Sequence, residues 1–323
     1  MMGWAWGKRA VAVAAVAAAA AMVLAPASHA RAGQIVNDTW LDGTDSDPAA
    51  PTYSEHGVDA DADGNLESAW FQGGVGTLDP VGAGGPLRGN LTAGGTSSAS
   101  WTTYTTSEAN QISLAQGETM RMTWQFSLTN VNAGNTSQNF RLAVVDSPSG
   151  SRLAAPGAPA SAAYTGYGMF MNMSPTLGNS SPFRLMERNV ATGDLLSTSG
   201  NWVGLGTTGA ASGNHGYDAA TTYTFQMDLT RTAADALDIT ATMSGGTLDN
   251  DGLASVFFTD TTPNGGSFTF DTFGVRPSGA TTTAELFDTS LFKVEHIVVP
   301  EPASLTLLCL GGLTLLGRRR RHH

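Results

Sequence analysis

Residues Thr119–Leu128 read Thr-Met-Arg-Met-Thr-Trp-Gln-Phe-Ser-Leu, so that Met120, Met122, Trp124, Phe126 and Leu128 alternate without a break with Thr119, Arg121, Thr123, Gln125 and Ser127. Successive side chains of an extended chain point to opposite faces, and a period of two held this long builds one apolar face and one wet face. Trp124 is in register with Met122 and Phe126 and belongs to the core. The same alternation recurs in Tyr223, Phe225, Met227 and Leu229, in Leu237, Ile239, Ala241 and Met243, and in Phe268 and Phe270. Gly245-Gly246, Asn250-Asp251-Gly252 and Asn264-Gly265-Gly266 separate these runs at hairpin spacing. Ala233 to Asp238 reads as the continuation of a hairpin, and no amphipathic helix longer than about two turns follows the N-terminal segment.

So many half-apolar strands are best satisfied by two sheets packed face to face. The expected fold is all-β: a single antiparallel β-sandwich of jelly-roll type over 33–297, flanked by an N-terminal signal helix and a C-terminal apolar helix. It resembles concanavalin-like lectin and glucanase domains in architecture, and fold does not imply function. A parallel β-helix is the structural rival, against which the lack of a fixed short repeat counts.

The two ends are of another kind. Lys8 and Arg9 precede an Ala/Val-rich run from Ala10 to Ala25, and Ser28-His29-Ala30 or Ala30-Arg31-Ala32 offers the small residues a signal peptidase needs, marking 1–32 as a signal peptide. Residues 298–323 hold Pro300, Glu301 and Pro302, an apolar stretch from Ala303 to Leu316 that includes the sole cysteine, Cys309, and then Arg318, Arg319, Arg320 and Arg321. Fourteen helical residues reach about 21 Å against a hydrocarbon core of about 30 Å, a marginal span, and the arginines oppose translocation. This order of elements resembles the PEP-CTERM sorting signal of Gram-negative bacteria. The resemblance implies transient anchoring in the inner membrane, recognition by an exosortase-type membrane protease, tail removal, and delivery to the cell surface or extracellular matrix, often alongside exopolysaccharide.

Between the ends, residues 31–299 carry 10 Lys and Arg against 26 Asp and Glu, a net charge of −16. That argues against nucleic acid as a partner, since such binding neutralises phosphate with cations, and it favours solubility or divalent-cation binding. Without Cys309 the domain has no disulfide, so burial must stabilise it, and the chain is long enough to bury a sizeable core.

The stretch 42–95 is dense in Gly, Pro and Asp and reads as long loops with short edge strands around Trp70-Phe71. Within it lies Asp59-Ala-Asp61-Ala-Asp63-Gly64-Asn65-Leu-Glu67. Alternate carboxylates on a turning backbone can converge on one hard cation, with glycine allowing the bend. The run resembles the start of the calcium loop of EF-hand and dockerin-like sequences, and departs from it where Trp70 replaces the bidentate glutamate and no flanking helices are evident. Asp59, Asp61, Asp63, Asn65 and Glu67 are thus the candidate Ca²⁺ ligands, with Glu67 or a residue from another loop completing the shell; the alternative is a solvated acidic turn. Asp42, Asp45 and Asp47 lack the alternation and read as an ordinary loop. Asp249 and Asp251 read as a hairpin turn.

No Gly-x-Ser-x-Gly elbow, His-Glu-x-x-His, P-loop or Glu-x-Asp-x-Glu strand occurs, so no catalytic residue is nominated. His56, His215 and His296 are far apart in sequence. Trp70, Phe71, Trp101, Tyr104, Trp202 and Tyr217 fall in or beside Gly/Thr-rich segments. Two readings stand: Trp101, Tyr104 and Trp202 line a sugar-stacking groove, or such rings plug the ends of the core. Two function classes follow: a non-catalytic exported surface or matrix protein associated with exopolysaccharide, or a carbohydrate-active lyase or hydrolase on the same fold.

Overall fold

The computed structural model describes residues 31–299, so both expected terminal helices, together with the sorting residues from Pro300 to Arg321, lie outside the described residues. The alternating stretch that decides the fold is β6 (Thr119–Val131), and its even-numbered residues from Met120 to Leu128 are all buried. It sits inside an eight-stranded sheet with spatial order β13 (Leu253–Asp260), β12 (Ala236–Ser244), β11 (Thr222–Ala233), β6, β15 (Ala284–Val298), β4 (Leu87–Asn90) and β3 (Thr77–Pro80), while β1 (Arg31–Asp38) also pairs with β15. The strands on either side of β6 run antiparallel to it. The register puts Phe225 opposite Trp124 and Met227 opposite Met122 on the inner face, and Asp228 opposite Arg121 on the wet one. The expected hairpin is present, with Ala234 and Asp235 joining β11 to β12.

A seven-stranded sheet faces it, in the order β10 (Trp202–Gly204), β9 (Phe183–Arg188), β8 (Thr165–Met171), β7 (Phe140–Asp146), β14 (Thr272–Pro277), β5 (Ala99–Tyr104) and β2 (Trp70–Gly74). The inner faces meet in one aromatic-rich core: Trp124 stacks on Phe126 with ring centroids 4.1 Å apart, and Phe140, Phe273 and Phe287 close around them. The described chain is therefore all-β with two antiparallel sheets, and its helical turns are single three-residue 3₁₀ turns.

Three strands of the second sheet escaped the alternation test for a physical reason. The outer side of β7, β8 and β9 carries Ala143, Val145, Phe170 and Met186, and loop residues Tyr164, Leu195 and Leu196 cover it with Trp202. Buried over most of both faces, these strands have few polar alternate positions, with Arg141, Arg184 and Arg188 interrupting the apolar runs. Phe268 and Phe270 do point into the core, but around Thr269 there is only an isolated bridge to Ser113 rather than a regular strand.

Candidate functional site

The acidic run is laid between two other stretches of irregular chain. Leu66 bridges to Asn37, Ser68 to Ser54, and the Trp70 amide donates to the Asp45 carbonyl at 2.6 Å. Polar backbone bonds and side-chain caps hold most of this layer, as expected for Gly/Asp-rich chain with few periodic apolar residues, and Tyr53, packed against Phe71 and Tyr104, is its apolar anchor.

Most carboxylates of the run serve their own turns. Asp59 accepts from the amides of Ala62 (2.7 Å) and Gly64 (3.2 Å), Asp61 from Asp63 (3.2 Å), and Asp63 from Asn65 (2.9 Å). Gly64 at φ +100° supplies the expected bend. Glu55, from the preceding loop, accepts from Ala60 at 2.5 Å and Glu67 at 3.0 Å.

Glu67 and Asn65 behave differently. They are 3% and 2% exposed; Oε2 of Glu67 and both polar atoms of the Asn65 amide have no hydrogen-bond partner, and neither has the buried Oδ2 of Asp63. Burial, reinforced by the charges of Asp42, Asp38, Asp63 and Asp61, pushes the Glu67 carboxyl up to about 9. Asp38, 2% exposed, is raised to about 7 chiefly by burial, although the Trp40 and Ser68 amides pull the other way. Asp42 is partly desolvated yet held below its usual range by the hydroxyl and amide of Thr44, and it stands beside Glu67.

The side chains the fold brings together are thus not simply those in alternation. Oxygens of Asp47, Asp61 and Glu67 lie within 4.8 Å of one another, and a second set joins Glu55, Asp59 and Asp61. Asp47 and Glu55 come from other loops, and the reading of Asp47 as ordinary loop misses its place beside Glu67. The density of acid over 42–67 was the available signal. Every ligand atom here is oxygen, the donor set of a hard cation, and flexible loops with mixed carboxylates suit Ca²⁺ better than the octahedral demand of Mg²⁺.

The nominated aromatics are buried: Trp101 is 2% exposed, Tyr104 1% and Trp202 5%. Trp101 packs edge-on to Phe287, and a Cβ at Gly89 would come within 2.2 Å of its ring, so a side chain there has no room. The Tyr104 hydroxyl accepts the Leu153 amide at 2.9 Å, and its ring lies 5.1 Å from the Arg152 guanidinium. Trp202 donates to the Leu195 carbonyl at 3.0 Å beneath the outer loop layer. None of the three presents a ring face for sugar stacking; the core-plugging alternative describes them, because β5 is buried on both sides and Trp202 is roofed by loops. Trp70, Phe71 and Tyr217 are likewise buried.

The three histidines have separate surroundings. His215 meets Asp218 at 2.7 Å, His296 meets Glu118 at 2.9 Å, and burial lowers His56, whose Nδ1 has no partner.

Open clefts lie elsewhere. One of about 330 Å³ is lined by Ser98, Ser100, Asp194, Ser197 and Arg276 among others, on the outer side of the seven-stranded sheet. Burial pushes the Arg276 guanidinium below the usual arginine range, and among the described residues it makes no ion pair. Another, of about 360 Å³, lies over the eight-stranded sheet beside Asp288 and Ser290. No helix of the described residues is long and apolar enough to cross a membrane, which says nothing of β-barrels.

Residues 298–321 match the model of the PEP-CTERM protein-sorting motif, which marks an exported chain processed by an exosortase. No curated protein matches the chain in sequence. Among solved structures, similar ones include the Emp47p carbohydrate recognition domain (13% identity, 80% of this chain and 94% of that chain, TM-score 0.40) and the VIP36 exoplasmic/lumenal domain in a Ca²⁺/mannose-bound form (14%, 79% and 89%, TM-score 0.42). Peanut lectin is a third, at 8% identity over 84% of this chain and 100% of that chain, with a TM-score of 0.38. Likenesses this distant carry no argument about ligands.

Proposed function

We propose that this chain is an exported, non-catalytic β-sandwich protein of the cell surface or extracellular matrix, associated with exopolysaccharide and stabilised by calcium in its acidic loop layer. The observation that carries the reading is the sorting motif at 298–321 behind a strongly acidic β-domain. Export runs through signal peptidase at one end and the exosortase-type protease at the other, with transient inner-membrane anchoring between the two cuts.

The cleft beside Arg276 is the place where a polymer would lie. Ser98, Ser100 and Ser197 offer hydroxyls and Arg276 a fork of N–H donors that the fold leaves unengaged. A net charge of −16 over 31–299 repels polyanions, so the polymer is neutral or sparsely charged.

Two measurements test this. In the native host, replacing Pro300-Glu301-Pro302 by alanines should leave the tail on the chain, read by intact mass, and keep it in the inner-membrane fraction; normal trimming and release of that variant would defeat the export route. A polysaccharide pull-down run beside a reducing-sugar assay tests the rest: retention without product, weakened at least about tenfold in Arg276→Ala, is expected. Product release would instead favour the lyase or hydrolase reading, for which Glu187 and Asp260, two buried and adjacent carboxyl groups, would be the first residues to replace.

A further inference from the structure

Resting on the calcium reading above, we propose that the cation is held not by the successive carboxylates of Asp59–Glu67 but by a clamp across two loops, Asp47 from one and Asp61 and Glu67 from the other, with Asn65 completing the shell.

The argument starts from which oxygens are free. Asp59 spends one oxygen on Ala62 and the other on Gly64, so both are engaged as turn caps, and Oδ1 of Asp63 caps Asn65. A carboxylate so occupied can ligate only by giving up part of its turn. Glu67 has a buried Oε2 with no donor near it, and Asn65 has a buried amide whose oxygen and nitrogen are both unsatisfied. A buried carboxylate or amide that finds no hydrogen-bond partner loses its hydration without recompense, which a fold tolerates only rarely. Two such side chains, on either side of Leu66 where it bridges to Asn37, mark a place built for something that is not protein.

Geometry names the something. Calcium–oxygen bonds run about 2.3–2.6 Å, so two ligands on opposite sides of the ion stand roughly 4.8 Å apart. The oxygens of Asp47, Asp61 and Glu67 all lie within 4.8 Å of one another. Without a cation these oxygens crowd together with nothing between them; with one, three carboxylates give a site of net charge −1, with Asp42 close by. The set of Glu55, Asp59 and Asp61 differs: its members are half-buried or exposed and both oxygens of Glu55 and Asp59 already accept amide hydrogens.

The clamp has a structural consequence that a single-loop site lacks. Asp47 follows Asp45, whose carbonyl accepts the Trp70 amide, so the ion fastens the 42–47 loop onto the strand that leads into β2. Calcium then locks the whole layer from 42 to 68.

The test uses the intact chain, calcium titrated calorimetrically with magnesium as competitor, and limited proteolysis read by mass. Asp47→Asn, at an exposed position, should weaken calcium binding at least about tenfold and expose the 42–68 layer to cleavage even with calcium present. Glu67→Gln should do the same, and thermal unfolding in EDTA checks that it is folded. Asp59→Asn should change the affinity by less than about threefold. If Asp59→Asn abolishes binding while Asp47→Asn leaves it intact, the clamp is wrong and the single-loop calcium site stands. If the intact chain binds no calcium, both are wrong.

Discussion

Asp271 and Glu67 are both carboxylates sunk into the protein, 1% and 3% exposed, yet they sit in opposite situations. Around Asp271 every oxygen is answered. Arg152 donates at 2.7 Å, the Ser147 amide and hydroxyl at 3.0 Å each, the Thr272 hydroxyl at 2.7 Å, and Gln111 approaches as well. Arg152 in turn donates to the Thr106 carbonyl and lies over the rings of Tyr53 and Tyr104, so the cation is as well housed as the anion. Around Glu67 the neighbours are other carboxylates. A buried charge is tolerated when its partners are in place and expensive when they are not. The first site is complete as protein; the second asks for a positive charge from outside.

Breaking the complete site should cost most. Arg152→Met strands Asp271 and unstacks two tyrosines, a loss of about 3–5 kcal/mol that should appear as a large drop in Tm and should not respond to calcium. A drop that calcium rescues would erase the distinction between the two sites. The incomplete site predicts the converse. Calcium at a hundred times its dissociation constant should stabilise the intact chain by about 2.7 kcal/mol, and EDTA should remove that gain. A melting curve indifferent to both would sink the calcium reading.

Glu187 and Asp260 sharpen the comparison as an intermediate case, since a shared proton can do there what Arg152 does for Asp271. Burial first, and Asp260 beside it, raise Glu187 to about 7, against the pull of the Asn264 amide. A carboxyl raised in the folded state is stabilising while protonated. The contribution is fully present below the ordinary glutamate range near pH 4.5 and is lost as pH rises through about 7. Glu187→Gln should flatten that fall, which is roughly 1–2 kcal/mol, in unfolding free energies measured from pH 4 to 8. An equally steep fall in the variant would assign it elsewhere. The smallest effect belongs to the half-exposed pair Arg121–Asp228, bidentate at 2.8 and 2.6 Å across β6 and β11. Arg121→Gln should cost less than about 1 kcal/mol, and less still in high salt.

Much of the sandwich is legible in the chain because β6, β11 and β12 each have one wet face, and alternation is what a half-buried strand looks like. β5, β7, β8 and β9 are not legible in that way. Trp101 and Tyr104 stand in Ala-Ser-Trp-Thr-Thr-Tyr, a stretch that looks loop-like only because threonines are buried there too, Thr102 and Thr103 at 1% and 0% exposure. The acidic run was visible as a cation candidate, since carboxylate density is a local property. Its partner Asp47 was not, because nothing local distinguishes it from Asp45 or Asp42.

By itself the sequence determined the sorting motif at the C-terminal end, the β class, the turn positions and the excess of negative charge, all of which are written in neighbouring residues. Which carboxylates share a site, which rings face the core and which arginines are left without an acceptor were decided only in the tertiary structure. These depend on segments brought together across gaps such as the 119 residues between Arg152 and Asp271, and on burial, which turns an ordinary carboxylate into one that must be matched.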